Sequence, residues 1–191
     1  MISIANWPGI GSELREVRNS TWKAGYLSDA EPDAVDIRCV NGGDDLVFIK
    51  TLFIEYAENQ GYERCFERFD EELAGLPTPY LPPTGGMWLA RVHDNVAGCI
   101  ALGRYDDDAA ELKRLFVRPA FRGHNLGTRL LGEASLFAQE TGYRRLVLET
   151  LPDRMRIAQN IYRNRGFVEC PPLSERLEEG ITAYELDLCA E

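Results

Sequence analysis

The segment from Glu111 to Glu140 narrows the fold more than any other. A strand-like run, Glu111–Val117, passes through a tight loop directly into a helical stripe that begins at Leu126. In that stripe Leu126, Leu130, Ala134 and Phe137 recur at helical spacing, and Leu131 and Ala138 widen it. The loop carries Arg122, Gly123, Asn125 and Gly127. Such a turn aims several backbone N–H groups at one spot in front of the helix, and the helix dipole adds positive potential there. Arg122 supplies a charged donor. The expected result is an anion site suited to a diphosphate.

The flanking sequence places this segment in an α/β sheet. Strands are expected at Val35–Val40, Met87–His93, Val96–Arg104, Leu146–Leu151, Phe167–Cys170 and Ile181–Leu188. Asn41-Gly42-Gly43, Asp94-Asn95 and the run Asp106–Asp108 supply turns. Helices are expected from Asp44 to about Asn59, over Arg64–Ala74, and over Met155–Arg165 with Ile157 and Ile161 inward. Gly142 and Gly166 end helices. The proline-rich stretch Leu76–Gly86 reads as a loop without regular structure. Residues 1–34 read as an extension holding a short helix, Ser12–Ala24, and residues 35–191 as the main domain. Helices alternating with strands put helices on the sheet's faces.

With 191 residues and 45% hydrophobic content, the chain can bury a core without staples. A net charge of -10 argues against nucleic acid or an anionic membrane surface as partner. Five cysteines include no CxxC pair, and the odd number leaves one unpaired, which points to a reducing compartment. With only His93 and His124 available, no metal site is expected. The sequence opens with no basic segment followed by an apolar run, and no apolar stretch is long enough for a bilayer. A cytoplasmic location is expected.

The loop lacks the Gly-Lys-Ser/Thr of a Walker loop and the three glycines of a dinucleotide fingerprint. Its Arg122-x-x-Asn125-x-Gly127 instead resembles the Arg/Gln-x-x-Gly-x-Gly/Ala motif of the GCN5-related N-acetyltransferase (GNAT) family. The run Ile161-Tyr162-Arg163-Asn164-Arg165-Gly166-Phe167 is similar to that family's Leu-Tyr-x-x-x-Gly-Phe signature. The likeness spans about Val35–Leu188. The chain departs from the pattern at Asn125, usually glycine, and at Met155, often asparagine.

The resemblance implies a mixed, mostly antiparallel central sheet of six to seven strands flanked by helices on both faces. It implies acetyl-CoA as cosubstrate and direct transfer of an acetyl group to an amine of a small molecule or protein. Arg122, Gly123, His124, Asn125, Leu126, Gly127 and Thr128 would hold the diphosphate. The backbone of Leu115, Phe116 and Val117 would pair with the pantetheine arm as an added strand does. Tyr162 would serve as general acid toward the leaving thiolate, its alternative being a packed aromatic. Glu111, eleven residues before Arg122, would serve as general base; the alternative is a strand glutamate that pairs with Lys113 or Arg114, or faces solvent. Glu149 is a second candidate base. A non-catalytic acyl-CoA-binding regulator on the same fold is the competing reading. The expected partners are acetyl-CoA and an amine acceptor, with no nucleic acid, no membrane and a homodimer left open. Glu55, Glu58, Glu63, Asp70, Glu71, Glu72, Glu175, Glu178 and Glu179 would give the acceptor side an acidic bias, read first as a solvated face.

Overall fold

Two strands with apolar residues or glycine at nearly every position need cover on both faces, and their neighbours provide it. The computed structural model describes residues 35–60, 69–151, 156–173 and 181–189. Within these, β1 (Val35–Cys39), β2 (Gly86–Val92), β3 (Asn95–Arg104), β4 (Ala109–Val117), β5 (Arg145–Thr150), β6 (Val168–Cys170) and β7 (Thr182–Asp187) form one sheet in the order β1-β2-β3-β4-β5-β7-β6. Every neighbouring pair is antiparallel except β4 and β5, which are parallel. β2 and β3 are buried almost throughout.

Among the described residues, four helices cover the sheet: α1 (Asp45–Gln60), α2 (Phe69–Gly75), α3 (Leu126–Glu140) and α4 (Arg156–Asn164). Alternation along each strand sends side chains to opposite faces. On one face Ile49, Leu52, Phe53 and Ala57 of α1 and Phe69 of α2 pack on Met87, Leu89, Cys99, Ala101 and Phe116. On the other, Leu130, Leu131, Ala134 and Ala138 of α3 and Tyr162 of α4 pack on Trp88, Ile100, Leu102, Leu112 and Leu148. Each fully buried Leu or Phe contributes on the order of 1.5–3 kcal/mol. The end of α3 is closed as its glycine foretells. Gly142, at φ 91°, donates to the Gln139 carbonyl at 3.1 Å, and Tyr143 donates to Ala138 at 2.9 Å.

One expectation is overturned. The stretch Leu76–Gly86 is not wholly irregular: Thr78–Tyr80 forms a 3-10 turn, and Gly86 already belongs to β2. Pro79 sits early in that turn, where a missing N–H loses nothing, and Tyr80 is carried into the core. The expected helix Ser12–Ala24 with the rest of the extension, the first half of the expected Arg64–Ala74 helix, Met155 and the side chain of Ile157 lie outside the described residues. Among the described residues, no helix is long and apolar enough to cross a membrane.

Candidate active site

The parallel pair at the centre of the sheet is short. β4 and β5 pair only at Ala109–Arg145, Ala110–Leu146 and Glu111–Val147. Beyond that point β4 runs on to Val117 and β5 to Thr150 without pairing, which leaves an opening in the sheet. A β-bulge lies beside it. Cys99 faces Phe116 and Ala101 faces Lys113, so Arg114 and Leu115 both oppose Ile100. Arg114 takes the left-handed conformation, φ 58°, which is rare for a long side chain.

After β4 the chain turns through a 3-10 segment, Pro119–Phe121, into the loop that precedes α3. Gly123 has φ 89°, a conformation that glycine adopts without penalty. Asn125 caps α3 with φ 57° and ψ 18°, so asparagine fills the left-handed position without its side chain bonding the helix. Among the described residues, the N–H groups of Gly123, Asn125, Leu126, Gly127 and Thr128 donate to no main-chain carbonyl. Within α3, the first N–H to reach a main-chain carbonyl is that of Arg129, which donates to Asn125 at 3.1 Å. These are the orphan donors of a helix start. Arg122 is exposed, and its Nε donates to the Val117 carbonyl at 3.2 Å. His124 lies half-buried with Nδ1 3.3 Å from the Phe121 and Arg122 carbonyls. Leu126 is buried. A Cβ on Gly127 would stand 2.9 Å from Cδ1 of Ile161, so α4 packs directly on the start of α3.

Tyr162 is buried, 5% exposed, with its ring 5.6 Å from that of Phe167. Burial pushes its phenol well above the ordinary tyrosine range, and the Tyr56 phenol adds to the rise. Tyr56 belongs to α1 and packs on Phe116 from the opposite face.

Glu111 and Tyr162 face opposite sides of the sheet. Leu112 points with Tyr162 toward α3 and α4, and alternation sends Glu111 the other way. Glu111 is 20% exposed, and its Oε2 is 3.0 Å from Nζ of Lys113. Burial raises its carboxyl above the usual range; Lys113 pulls it down and Glu149 pushes it up. Glu149 accepts a hydrogen bond from the Leu173 N–H at 3.1 Å. Phe116 is buried, and Leu115 and Val117 are half-buried on the side of α3 and α4.

Two acidic residues read as solvated are not. Glu55, 17% exposed, takes both Nε (2.8 Å) and Nη2 (2.7 Å) of Arg118, whose Nη1 donates to the Val96 carbonyl at 2.8 Å. Glu72, 16% exposed, holds the Arg114 guanidinium in a bidentate pair and also accepts the Tyr80 hydroxyl. Burial would have been unfavourable for either carboxylate alone, and each is placed opposite a guanidinium instead. The sequence carries only a faint sign of this: two arginines, Arg114 and Arg118, within and just past the end of the β4 strand.

Residues 47–167 match the Acetyltransferase (GNAT) family. The chain belongs to that family. It is similar to an uncharacterised N-acetyltransferase of Schizosaccharomyces pombe, with 35% identity over 144 residues covering 74% of this chain and 88% of that one. Among solved structures it is similar to an acetyltransferase of the GNAT family from Staphylococcus aureus Mu50, with a TM-score of 0.64 and 28% identity over 80% of this chain and 99% of that one. It shares its fold with yncA from Salmonella typhimurium, solved with its cofactor acetyl-CoA, at a TM-score of 0.63 and 19% identity over 83% and 96% of the two chains. The protein is an N-acetyltransferase of the GNAT family; the reading as a non-catalytic regulator is not favoured.

Proposed function

We propose that the transfer takes place in the opening between β4 and β5, with the two reactants entering from opposite faces of the sheet. The cluster of N–H groups at the start of α3 carries this reading. Donors from Gly123 and Asn125–Thr128, together with the exposed Arg122 guanidinium, fit a diphosphate in number and charge. Main-chain groups of Leu115–Val117, past the end of the β4–β5 ladder, suit the amides of a pantetheine arm. Acetyl-CoA supplies the acyl group already activated as a thioester.

The chain's own groups then have two proton tasks. An alkyl amine has a pKa of about 10 and reaches the site mostly protonated. Glu111, on the face of α1 and α2, takes the proton from the attacking nitrogen; burial raises its pKa and so makes it a stronger base than an ordinary carboxylate. Tyr162, from the other face, keeps its own proton because burial disfavours the phenolate, and it gives that proton to the departing sulfur. Alignment of both reactants in one gap supplies much of the rate. Glu149 is held by the Leu173 N–H, which leaves Glu111 the better placed base. A cytoplasmic setting belongs to the same reading; it is supported by Cys39, Cys99, Cys170 and Cys189 standing as free thiols.

The acceptor is an amine of a small molecule or a protein. The test is thermal denaturation with and without acetyl-CoA, followed by thiol release against a panel of amines and amine-bearing peptides. Stabilisation by acetyl-CoA with amine-dependent thiol release is expected. Stabilisation without release across a broad panel would refute the catalytic assignment of Tyr162 and Glu111.

A further inference from the structure

The bulge in β4 is an unexpected place for an arginine. Arg114 holds a left-handed backbone, a conformation that glycine or asparagine reaches far more readily. Nothing in the turn geometry asks for a long cation there. Its side chain is nonetheless tightly engaged. The guanidinium is 13% exposed and forms the bidentate pair with Glu72 of α2. It lies over the rings of Phe69 at 5.2 Å and Tyr56 at 5.6 Å. Glu72 is held in turn by the hydroxyl of Tyr80, itself buried in the core. The Arg114 carbonyl accepts from Sγ of Cys99 at 3.4 Å. Both the main chain and the side chain of this one residue are thus fixed from separate directions.

The position matters because the bulge sets the strand's register. Up to Lys113, β4 follows one register on β3; from Phe116 it follows another. Leu115, Phe116 and Val117 therefore point as they do because of the conformation at Arg114. These are the residues whose main chain borders the opening. Phe69 and Leu73 of α2 add apolar packing on this face, which slides at little cost. A bidentate ion pair has a fixed fork geometry and does not slide.

We propose that Arg114 is a positioning residue for acetyl transfer: its ion pair with Glu72 locks the bulge of β4 to α2 and so holds the main-chain groups of Leu115–Val117 at the angle that aligns the thioester. This rests on the reading that transfer occurs in the β4–β5 opening. The lock acts on the reacting end of the cosubstrate, not on the diphosphate, which binds further along at the start of α3.

Steady-state kinetics with acetyl-CoA and the best amine from the panel, run well below the melting temperature, test the lock, with CoA affinity measured by calorimetry. Glu72→Gln is expected to lower kcat at least tenfold while the Kd for CoA moves less than threefold. Arg114→Gly removes the clamp but eases the backbone, so kcat should fall as in Glu72→Gln without a matching loss of melting temperature. Arg114→Lys, which keeps the charge but not the fork, should fall between. Wild-type kcat in Arg114→Gly would overturn the proposal, because the bulge would then need no clamp. If Glu72→Gln does not fold, Tyr80→Phe removes one of the donors to Glu72; a several-fold drop in kcat at unchanged KM is expected, and an unchanged kcat counts against the lock. A wild-type protein that neither binds nor spends acetyl-CoA would sink the underlying reading as well, whereas an active wild type with indifferent variants sinks the lock alone.

Discussion

Arg122→Ala gives the sharpest test of where the diphosphate sits. Nε of Arg122 is already committed to the Val117 carbonyl, so what the substitution takes from a ligand is the pair of outward Nη donors and their charge. A hydrogen bond to a charged group contributes about 1.5–3 kcal/mol net. Arg122 is exposed, so the lower part of that range applies, about 1.5–2 kcal/mol, which is about a 10- to 30-fold rise in Kd. Binding should not vanish, because the N–H groups from Gly123 to Thr128 remain. Calorimetric titration with CoA at two salt concentrations reads the effect, and the gap between wild type and variant should narrow at high salt. Acetyl-pantetheine, which lacks the diphosphate, provides the control: wild type and variant should use it with equal kcat/KM. The melting temperature should change by no more than about 2 °C, since exposed substitutions of this kind stay within about 0.5 kcal/mol. A Kd change under threefold, or an equal loss with acetyl-pantetheine, refutes the placement.

Tyr162→Phe should lower kcat by about 100-fold with CoA affinity nearly unchanged and no loss of melting temperature, since its hydroxyl has no hydrogen-bond partner among the described residues; an unchanged kcat would leave Tyr162 as packing. Glu111 has a raised folded-state pKa, so its contribution to stability is fully present below the ordinary carboxylate range and is lost as pH rises through the raised value. Glu111→Gln should accordingly match the wild type in melting temperature near pH 4 and exceed it at pH 8, while the acid limb of kcat/KM disappears; a surviving limb assigns the base elsewhere. Glu55→Gln leaves the Arg118 guanidinium, 7% exposed, without its counter-charge. The cost is about 3 kcal/mol, at the low end for a buried pair because Glu55 keeps some exposure, or about 6–12 °C by calorimetry. A drop below about 2 °C would mean that the pair is effectively solvated, and the double change Arg118→Met with Glu55→Leu should recover most of the loss.

What the sequence made legible was local. The stripe Leu126, Leu130, Ala134 and Phe137, the stop at Gly142, and the strand before Arg122 all state their structure within one or two turns of chain. The shape of the loop before α3 is legible for the same reason, since its turn residues and outward N–H groups come from consecutive positions. The ion pairs were not. Arg114 and Glu72 stand 42 positions apart, and Arg118 and Glu55 stand 63 apart. A carboxylate on a helix rich in carboxylates looks solvated until a strand brings a guanidinium beneath it. Nor did the bulge leave a mark: no glycine stands at position 114. The break in register arises from how β3 and β4 pair, and a single strand cannot reveal that. The 3-10 turn at Thr78–Tyr80 escaped because proline forbids long regular structure yet is tolerated at the start of a short turn, where Pro79 stands.

The opening beside β4 and the start of α3 share one physical feature. Strand groups past Glu111 and Val147 face a gap where a ladder would normally continue, and the N–H groups entering α3 face outward together. Unpaired main-chain groups are ordinarily confined to sheet edges and exposed turns, where water satisfies them. Here they lie along one continuous path, from the middle of the sheet to the mouth of a helix. A ligand that carries amides at one end and a diphosphate at the other would complete both sets at once, so the bound form should be markedly more stable than the free one. At a ligand concentration one hundred times Kd, the gain is about 2.7 kcal/mol, or about 5–11 °C for a chain of this size. CoA should deliver most of that shift. Acetyl-pantetheine, at the same multiple of its own Kd, should give the same shift but need a far higher concentration to do so. If the two ligands instead act at equal concentration, the helix mouth contributes nothing, and the path ends inside the sheet.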